Sequence, residues 1–182
     1  MSNIINGGVV GGPSGSGPEP AITHRVTNIG TTTLQVGDLV SFDSDETETS
    51  GFGLGLATGV FSAVKRTTAV TNLDFFHAVV TKAPEGGAGT GDALEVFVGP
   101  GYATLRVGTV QSTPVAITEG TDLYAPQNQV FASEDGAQLT ANFVQVAVYK
   151  DASYTPSAQL ASELKTVFFD GTGETFQRGV SS

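Results

Sequence analysis

The residue types that could carry out chemistry are few and widely separated in this chain. His24 and His77 are its two histidines, and neither has acidic or histidine neighbours at a spacing typical of metal ligands. His77 lies in the apolar run Phe75–Val80, which favours a partly buried, hydrogen-bonded histidine over a ligand or a base. The chain has no cysteine, which excludes disulfides, thiolate catalysis and cysteine-ligated metals.

Three further segments are candidates for binding or catalysis. The segment Asp43–Glu48 contains four carboxylates and is either a solvated acidic loop or a cation site, although the glycine and distal glutamate of a calcium loop are missing. Gly86–Gly91 has neither the Lys-Ser/Thr ending of a phosphate loop nor a following helix, so it predicts a hairpin connection. Gly12–Gly17 does not match the Gly-x-Ser-x-Gly nucleophile elbow. We therefore predict a protein that is not an enzyme and binds no cofactor or metal.

Charge and hydropathy narrow the classes of partner. The chain has 18 acidic and 8 basic residues, with a net charge of −10, so its surface should repel nucleic acid. Lys65-Arg66 is the only adjacent basic pair. No apolar run is long enough to cross a membrane, and the N-terminus has no signal-peptide pattern. The sequence predicts a soluble protein made in the cytoplasm, with no direct contact to nucleic acid or membrane.

The first 20 residues differ in composition from the rest. Glycine and proline are so frequent in 1–20 that a regular core is impossible there. The segment is either a disordered tail or an extended arm that lies on a partner. An arm would use its four large apolar residues as contacts, which are Ile4, Ile5, Val9 and Val10. We predict two parts, a flexible or extended arm over 1–20 and a β-barrel domain over 21–182.

Several segments have the residue pattern of β-strands. Thr31–Val36 alternates, and Phe75–Thr81 is an almost continuous apolar run. Leu94–Val98 and Ala103–Val107 flank the turn sequence Gly99-Pro100-Gly101, which predicts a β-hairpin.

The C-terminal part predicts two more strands and one helix. Phe143–Tyr149 alternates, and Lys165–Phe169 is a final apolar run. The segment Ser157–Leu164 follows Pro156 and has apolar residues at helical spacing, which predicts a short helix.

One turn-and-strand pattern occurs twice. Gly37-Asp38-Leu39-Val40-Ser41-Phe42 returns as Gly120-Thr121-Asp122-Leu123-Tyr124-Ala125, and the apolar runs Ala78–Ala83 and Ala147–Ala152 follow. Such a repeat, with abundant glycine, predicts an all-β fold: a single compact β-barrel or jelly-roll-like sandwich with an internal pseudo-repeat. The first copy is longer, and we place its extra residues within Asp43–Lys65. That insertion contains a Gly-rich apolar stretch whose candidate contact residues are Phe52, Leu54 and Leu56.

The order of these elements resembles the small capsid decoration (cement) proteins of tailed bacteriophages, in the family of short β-rich head proteins. The matching motifs are Gly37-Asp38-Leu39-Val40, Phe76–Ala83, Leu105–Val110, Gly120–Tyr124 and Val144–Ala152. The resemblance implies a homotrimer on the outer face of an icosahedral shell, where it bridges major capsid proteins, and it implies no catalytic residues. The alternative is a fibre or adhesin head domain that binds host surface glycans.

Overall fold

The computed structural model describes residues 23–42, 63–66, 77–134 and 144–171. These ranges contain ten β-strands and no helix. The strands are β1 (Thr23–Asn28), β2 (Leu39–Phe42), β3 (Ala63–Arg66), β4 (His77–Lys82), β5 (Ala93–Phe97), β6 (Gly101–Gly108), β7 (Asp122–Tyr124), β8 (Ala132–Ser133), β9 (Gln145–Tyr149) and β10 (Ser162–Phe169).

The strands form two five-stranded units that follow one another along the chain. In the N-terminal barrel the order is β1-β3-β2-β4-β5, and β5 pairs with β1 to close it. In the C-terminal barrel the order is β10-β6-β8-β7-β9, and β9 pairs with β10. Its β7–β8 contact is the single pair Tyr124–Ser133, so this unit is a strongly curled sheet that closes at one point.

The two barrels share one topology, strand for strand. The first and third strands of each unit are parallel, as β1–β3 and β6–β8, and every other neighbouring pair is antiparallel. The predicted all-β barrel fold with an internal repeat is therefore confirmed. Each copy of the repeat contributes a complete set of five strands, so the chain contains two such units where the sequence suggested one.

The turn before the second strand of each unit shows how the residues of the two copies correspond. Gly37 and Gly120 both have positive φ, at 88° and 89°, which glycine adopts without steric cost. Leu39 pairs with Val79, and Asp122 pairs with Val148. Thr121 thus stands where Asp38 stands in the first copy, and Asp122 stands where Leu39 does. Aligning the two Asp-Leu pairs by sequence shifts the copies by one residue, because the glycine and not the aspartate determines the turn.

Each barrel encloses its own core. In the N-terminal barrel the core includes Val26, Leu34, Val40, Val80 and Val96. In the C-terminal barrel it includes Leu105, Leu123, Val146, Tyr149 and Val167. Loop bridges at equivalent positions cover one end of each barrel, Leu34–Ala88 in the first and Ile117–Tyr154 in the second.

The predicted hairpin around Gly99-Pro100-Gly101 is wrong. The strands β5 and β6 do not pair with each other, because β1 and β4 occupy the two edges of β5, and β8 and β10 occupy those of β6. The turn sequence instead connects the two barrels. Alternation and turn residues identified both strands, but they carry no information about which edges are already taken.

Two other local predictions are also wrong. The helix predicted over Ser157–Leu164 is a turn followed by β10, which starts at Ser162. Leu160 has φ +64°, outside the right-handed helical region, and its N–H donates to the Thr109 carbonyl at 2.8 Å. The strand predicted over Thr31–Val36 is a loop that makes one bridge, at Leu34. In both places contacts that are distant in sequence override the local pattern.

The remaining strand predictions agree with the structure. The segments Phe75–Thr81, Leu94–Val98, Phe143–Tyr149 and Lys165–Phe169 overlap β4, β5, β9 and β10. Gly86–Gly91 connects the antiparallel strands β4 and β5, as predicted. The connection 43–62 between β2 and β3 is longer than the equivalent connection 125–131 between β7 and β8, which places the extra residues of the first copy where the sequence indicated.

Candidate interaction surfaces

The two barrels meet in a contact that we call the seam, formed by the outer face of β2, β4 and β5 against the C-terminal barrel. Leu39, Val79 and Phe97 point away from the core of their own barrel and belong to the hydrophobic cluster of the other. The rings of Phe97 and Phe169 lie 6.1 Å apart between centroids, tilted by 47°. Aromatic and aliphatic burial of this kind stabilises the seam by a few kcal/mol, at about 1.5–3 kcal/mol for each fully buried side chain.

Main-chain hydrogen bonds also cross the seam. The Arg106 N–H donates to the Gly37 carbonyl at 2.7 Å, and the Leu39 N–H donates to the Val130 carbonyl at 2.7 Å. At a second point the His77 N–H donates to the Gly171 carbonyl at 2.8 Å. Backbone groups of both barrels therefore satisfy one another, as in the interior of a single domain.

One ion pair lies at the centre of this contact. The Arg106 Nε donates to Asp38 Oδ1 at 2.8 Å, and the Gln35 N–H donates to Asp38 Oδ2 at 2.7 Å. The Asp38 side chain is buried and that of Arg106 is partly exposed. Burial raises the pKa of Asp38, and the hydrogen bond from Gln35 and the charge of Arg106 oppose this effect without cancelling it.

This pKa shift predicts how stability depends on pH. A carboxyl group whose pKa is higher in the folded protein binds more protons there than in the unfolded chain, so its contribution to stability falls as pH rises through that pKa. We expect Asp38→Asn to cost most in free energy of unfolding in acid, with the cost shrinking as pH rises above about 4, the ordinary pKa of an aspartate. Urea unfolding of both proteins across this range measures the difference, and a cost that grows with pH would contradict the assignment.

The face of the C-terminal barrel that is equivalent to the seam is not covered in the same way. Phe168 stands where Phe97 does and Val148 where Val79 does, yet both are only half-buried. Beside Phe168 the Tyr102 side chain is 70% exposed, and the two rings contact edge to face with centroids 5.6 Å apart. The turn at Gly120 is open as well, since a Cβ added there would meet no atom within 4 Å.

A shallow pocket lies on the outer side of the N-terminal barrel, with a volume of about 250 Å³. It is lined by Arg25, Lys82, Ala93, Leu94 and Glu95. Lys82 Nζ is 3.2 Å from Glu95 Oε1, and both side chains are solvent-exposed. The pocket therefore has a mixed charged rim, with the Arg25 guanidinium and the Lys82 ammonium as its cations.

The contact residues predicted from the sequence lie outside the described residues. This applies to Ile4, Ile5, Val9, Val10, Phe52, Leu54 and Leu56, and to the acidic segment Asp43–Glu48. The arm over 1–20 is outside them too. All of these predictions remain predictions.

The two histidines are both within the described residues. His24 is exposed on β1, and His77 is buried at the start of β4, as its apolar surroundings predicted. Within 23–42, 63–66, 77–134 and 144–171, no three His, Asp or Glu residues form a group that could hold a metal ion. The same ranges contain no helix of the length and hydrophobicity needed to cross a membrane.

Sequence reasoning missed the seam, although a signal for it exists. The strand Leu39–Phe42 is buried at all four positions, and apolar residues also follow one another at Val79-Val80 and Val96-Phe97. Adjacent apolar residues in a strand indicate burial on both faces. The ion pair Asp38–Arg106 gave no such signal, because its members are 68 residues apart.

Compared with known proteins, the chain matches no protein-family model and no curated relative.

Proposed function

We propose that this chain is a non-catalytic structural protein of a virion, which decorates an icosahedral capsid from outside as a homotrimer and bridges major capsid proteins. The observation that carries the proposal is that both barrels have an apolar outer face at equivalent positions. The outer face that joins the barrels at Leu39, Val79 and Phe97 recurs in part on the second barrel. There Val148 and Phe168 take the places of Val79 and Phe97, and the exposed Tyr102 packs on Phe168. An exposed aromatic patch of this kind is typical of a contact surface.

The buried polar side chains support the same interpretation, because they serve the architecture. Asn28 Nδ2 donates to the carbonyls of Thr32 and Ala88 at 2.9 and 2.8 Å, and its Oδ1 accepts from the Gly30 N–H. Thr109 Oγ1 donates to Glu134 Oε1 at 2.8 Å. These side chains hold loops at the ends of the barrels, and Asp38 holds the barrels together.

The acidic surface also fits an outer position on a particle. A net charge of −10 disfavours contact with packaged nucleic acid. Many weak contacts, repeated over a shell, give strong attachment without a deep pocket.

Capsid binding tests this proposal. We expect the purified protein to sediment as a trimer at micromolar concentration and to bind heads of the corresponding virus that lack it. Deleting 1–20 should leave the barrels folded by circular dichroism but weaken head binding, because the arm supplies apolar contacts. Unchanged binding by the truncated protein would remove the arm from the proposal, and failure of the full chain to bind heads would refute it.

The exposure of the Tyr102 ring also favours the second candidate, a fibre or adhesin head domain that binds host surface glycans. Its exposed ring beside Phe168 offers an apolar face with a polar hydroxyl. Retention of the protein on immobilised host polysaccharide, lost in Tyr102→Ala while head binding stays intact, would support this candidate over the first.

A further inference from the structure

The seam provides a template for a contact that the chain leaves unmade. In the seam, the Gly37–Leu39 turn of the first barrel lies on strands β6 and β10 of the second. The Gly37 carbonyl accepts from the Arg106 N–H, and a Cβ added at Gly37 would overlap the Leu164 side chain. We call the turn and its neighbours Val79 and Phe97 the turn face, and the outer side of β6 and β10 the strand face.

Each barrel has both faces, because the two topologies are the same. The turn face of the C-terminal barrel is the Gly120–Asp122 turn with Val148 and Phe168. The strand face of the N-terminal barrel is the outer side of β1 and β5. There Thr27, opposite Ala93, occupies the position that Arg106, opposite Leu164, has in the second barrel. One face of each kind is used inside the chain, and one of each kind is left over.

The two unused faces are complementary in charge. Glu119 and Asp122 are exposed on the Gly120 turn. The pocket on the strand face is lined by Arg25, Lys82 and Glu95, and because Lys82 is paired with Glu95, Arg25 supplies its net positive charge. The seam has the same polarity, with the acid Asp38 on the turn and the cation Arg106 on the strand. We infer that the occupant of each unused face is a second copy of this chain, joined head to tail through the Gly120 turn of one copy and the β1–β5 face of the next.

The arrangement explains why Val148, Phe168 and the Gly120 turn are accessible while Val79, Phe97 and the Gly37 turn are buried. A head-to-tail contact is heterologous, so it closes into a ring or continues as a filament. The inference deepens the self-association of the proposed function and rests on it, since a ring of three copies would be the proposed homotrimer.

Site-directed cross-linking tests the contact. The chain has no cysteine, so introduced thiols are its only ones. Thr121 and Thr27 occupy the positions of Asp38 and Arg106, so they should lie side by side across the contact. We expect Thr121→Cys/Thr27→Cys, treated with a short bis-maleimide, to give covalent multimers on a denaturing gel. Each single variant should run as a monomer on this gel, because a head-to-tail contact does not bring identical residues together for cross-linking.

A second variant checks the face by its effect on affinity. On the double-cysteine background, Tyr102→Glu should weaken association about tenfold or more, because the Tyr102 ring packs on Phe168 of the unused face and aromatic side chains carry much of the affinity of an interface. Val115→Glu is the matched control, since Val115 is an exposed apolar residue of the same barrel outside the positions equivalent to the seam, and it should leave association unchanged.

Two results would overturn the inference. The first is a double-cysteine variant that stays monomeric after treatment, and the second is a Thr121→Cys variant that cross-links alone as well as the double variant does. Light scattering of the unmodified protein then separates the two proposals. Trimers without cross-linking would refute only this contact, whereas monomers would also remove the homotrimer from the proposed function.

Discussion

The substitution Leu39→Asp should destabilise the protein by about 4 kcal/mol, because it removes a buried aliphatic side chain and places an uncompensated charge in the seam. Leu39 is fully buried and packs in the hydrophobic cluster of the second barrel. The neighbouring Asp38 is itself ionisable and buried, so the new carboxylate would also face a like charge. Urea denaturation followed by tyrosine fluorescence measures the loss.

The reciprocal change is the control. Asp122 occupies the position of Leu39 in the second copy but is exposed. We expect Asp122→Leu to change the free energy of unfolding by no more than about 0.5 kcal/mol, the usual range for surface positions. Equal losses in the two variants would contradict the assignment of Leu39 to a contact between barrels.

The second large effect is expected at Gly171, where the end of β10 meets the start of β4. A Cβ at this position would overlap the His77 carbonyl and come within 2.8 Å of its carbon and 2.9 Å of the Phe169 ring. Since the obstacle is backbone, it cannot rotate away. We expect Gly171→Ala to cost about 2–3 kcal/mol, in the range of overpacked core substitutions, measured by the shift of the thermal midpoint.

Gly89→Ala provides the comparison for Gly171. A Cβ at Gly89 would have only the Asp92 carboxylate nearby, at 3.4 Å. Its effect should therefore be close to zero. A neutral Gly171→Ala substitution would show that the N–H of His77 and the carbonyl of Gly171 do not hold the barrels at this point.

Much of the fold could be predicted from the sequence because strand periodicity and turn residues act locally. The glycine turns at Gly37 and Gly120 exposed the repeat, and continuous apolar residues identified β4. The alternation Leu94–Val98 identified β5 for the same reason. In each of these cases the side-chain pattern along one strand is sufficient information.

What could not be predicted depends on which strands meet. Gly99-Pro100-Gly101 has the composition of a hairpin turn, but pairing elsewhere in the two barrels leaves β5 and β6 no common edge. The segment Ser157–Leu164 has helical spacing, yet Leu164 pairs with Arg106 in the sheet. Long-range pairing outweighs a short segment's own preference, because a helix of this length is marginal by itself.

The candidate site shows the same division. The residues chosen from composition, such as Ile4 and Phe52, lie outside the described residues. The exposed surface around Phe168 is related to the seam only by the equivalence of the two barrels. Phe97 and Phe168 are separate apolar residues in the sequence, and their equivalence follows from the register of β4–β5 and β9–β10.

Cryo-electron microscopy of the intact particle that carries this protein would show directly where the chain lies. We expect paired β-barrels on the outer shell, three copies around each attachment point, placed over the joins between major capsid proteins. A particle map without such density, or with the chain on the inner surface against the packaged genome, would refute a decoration role.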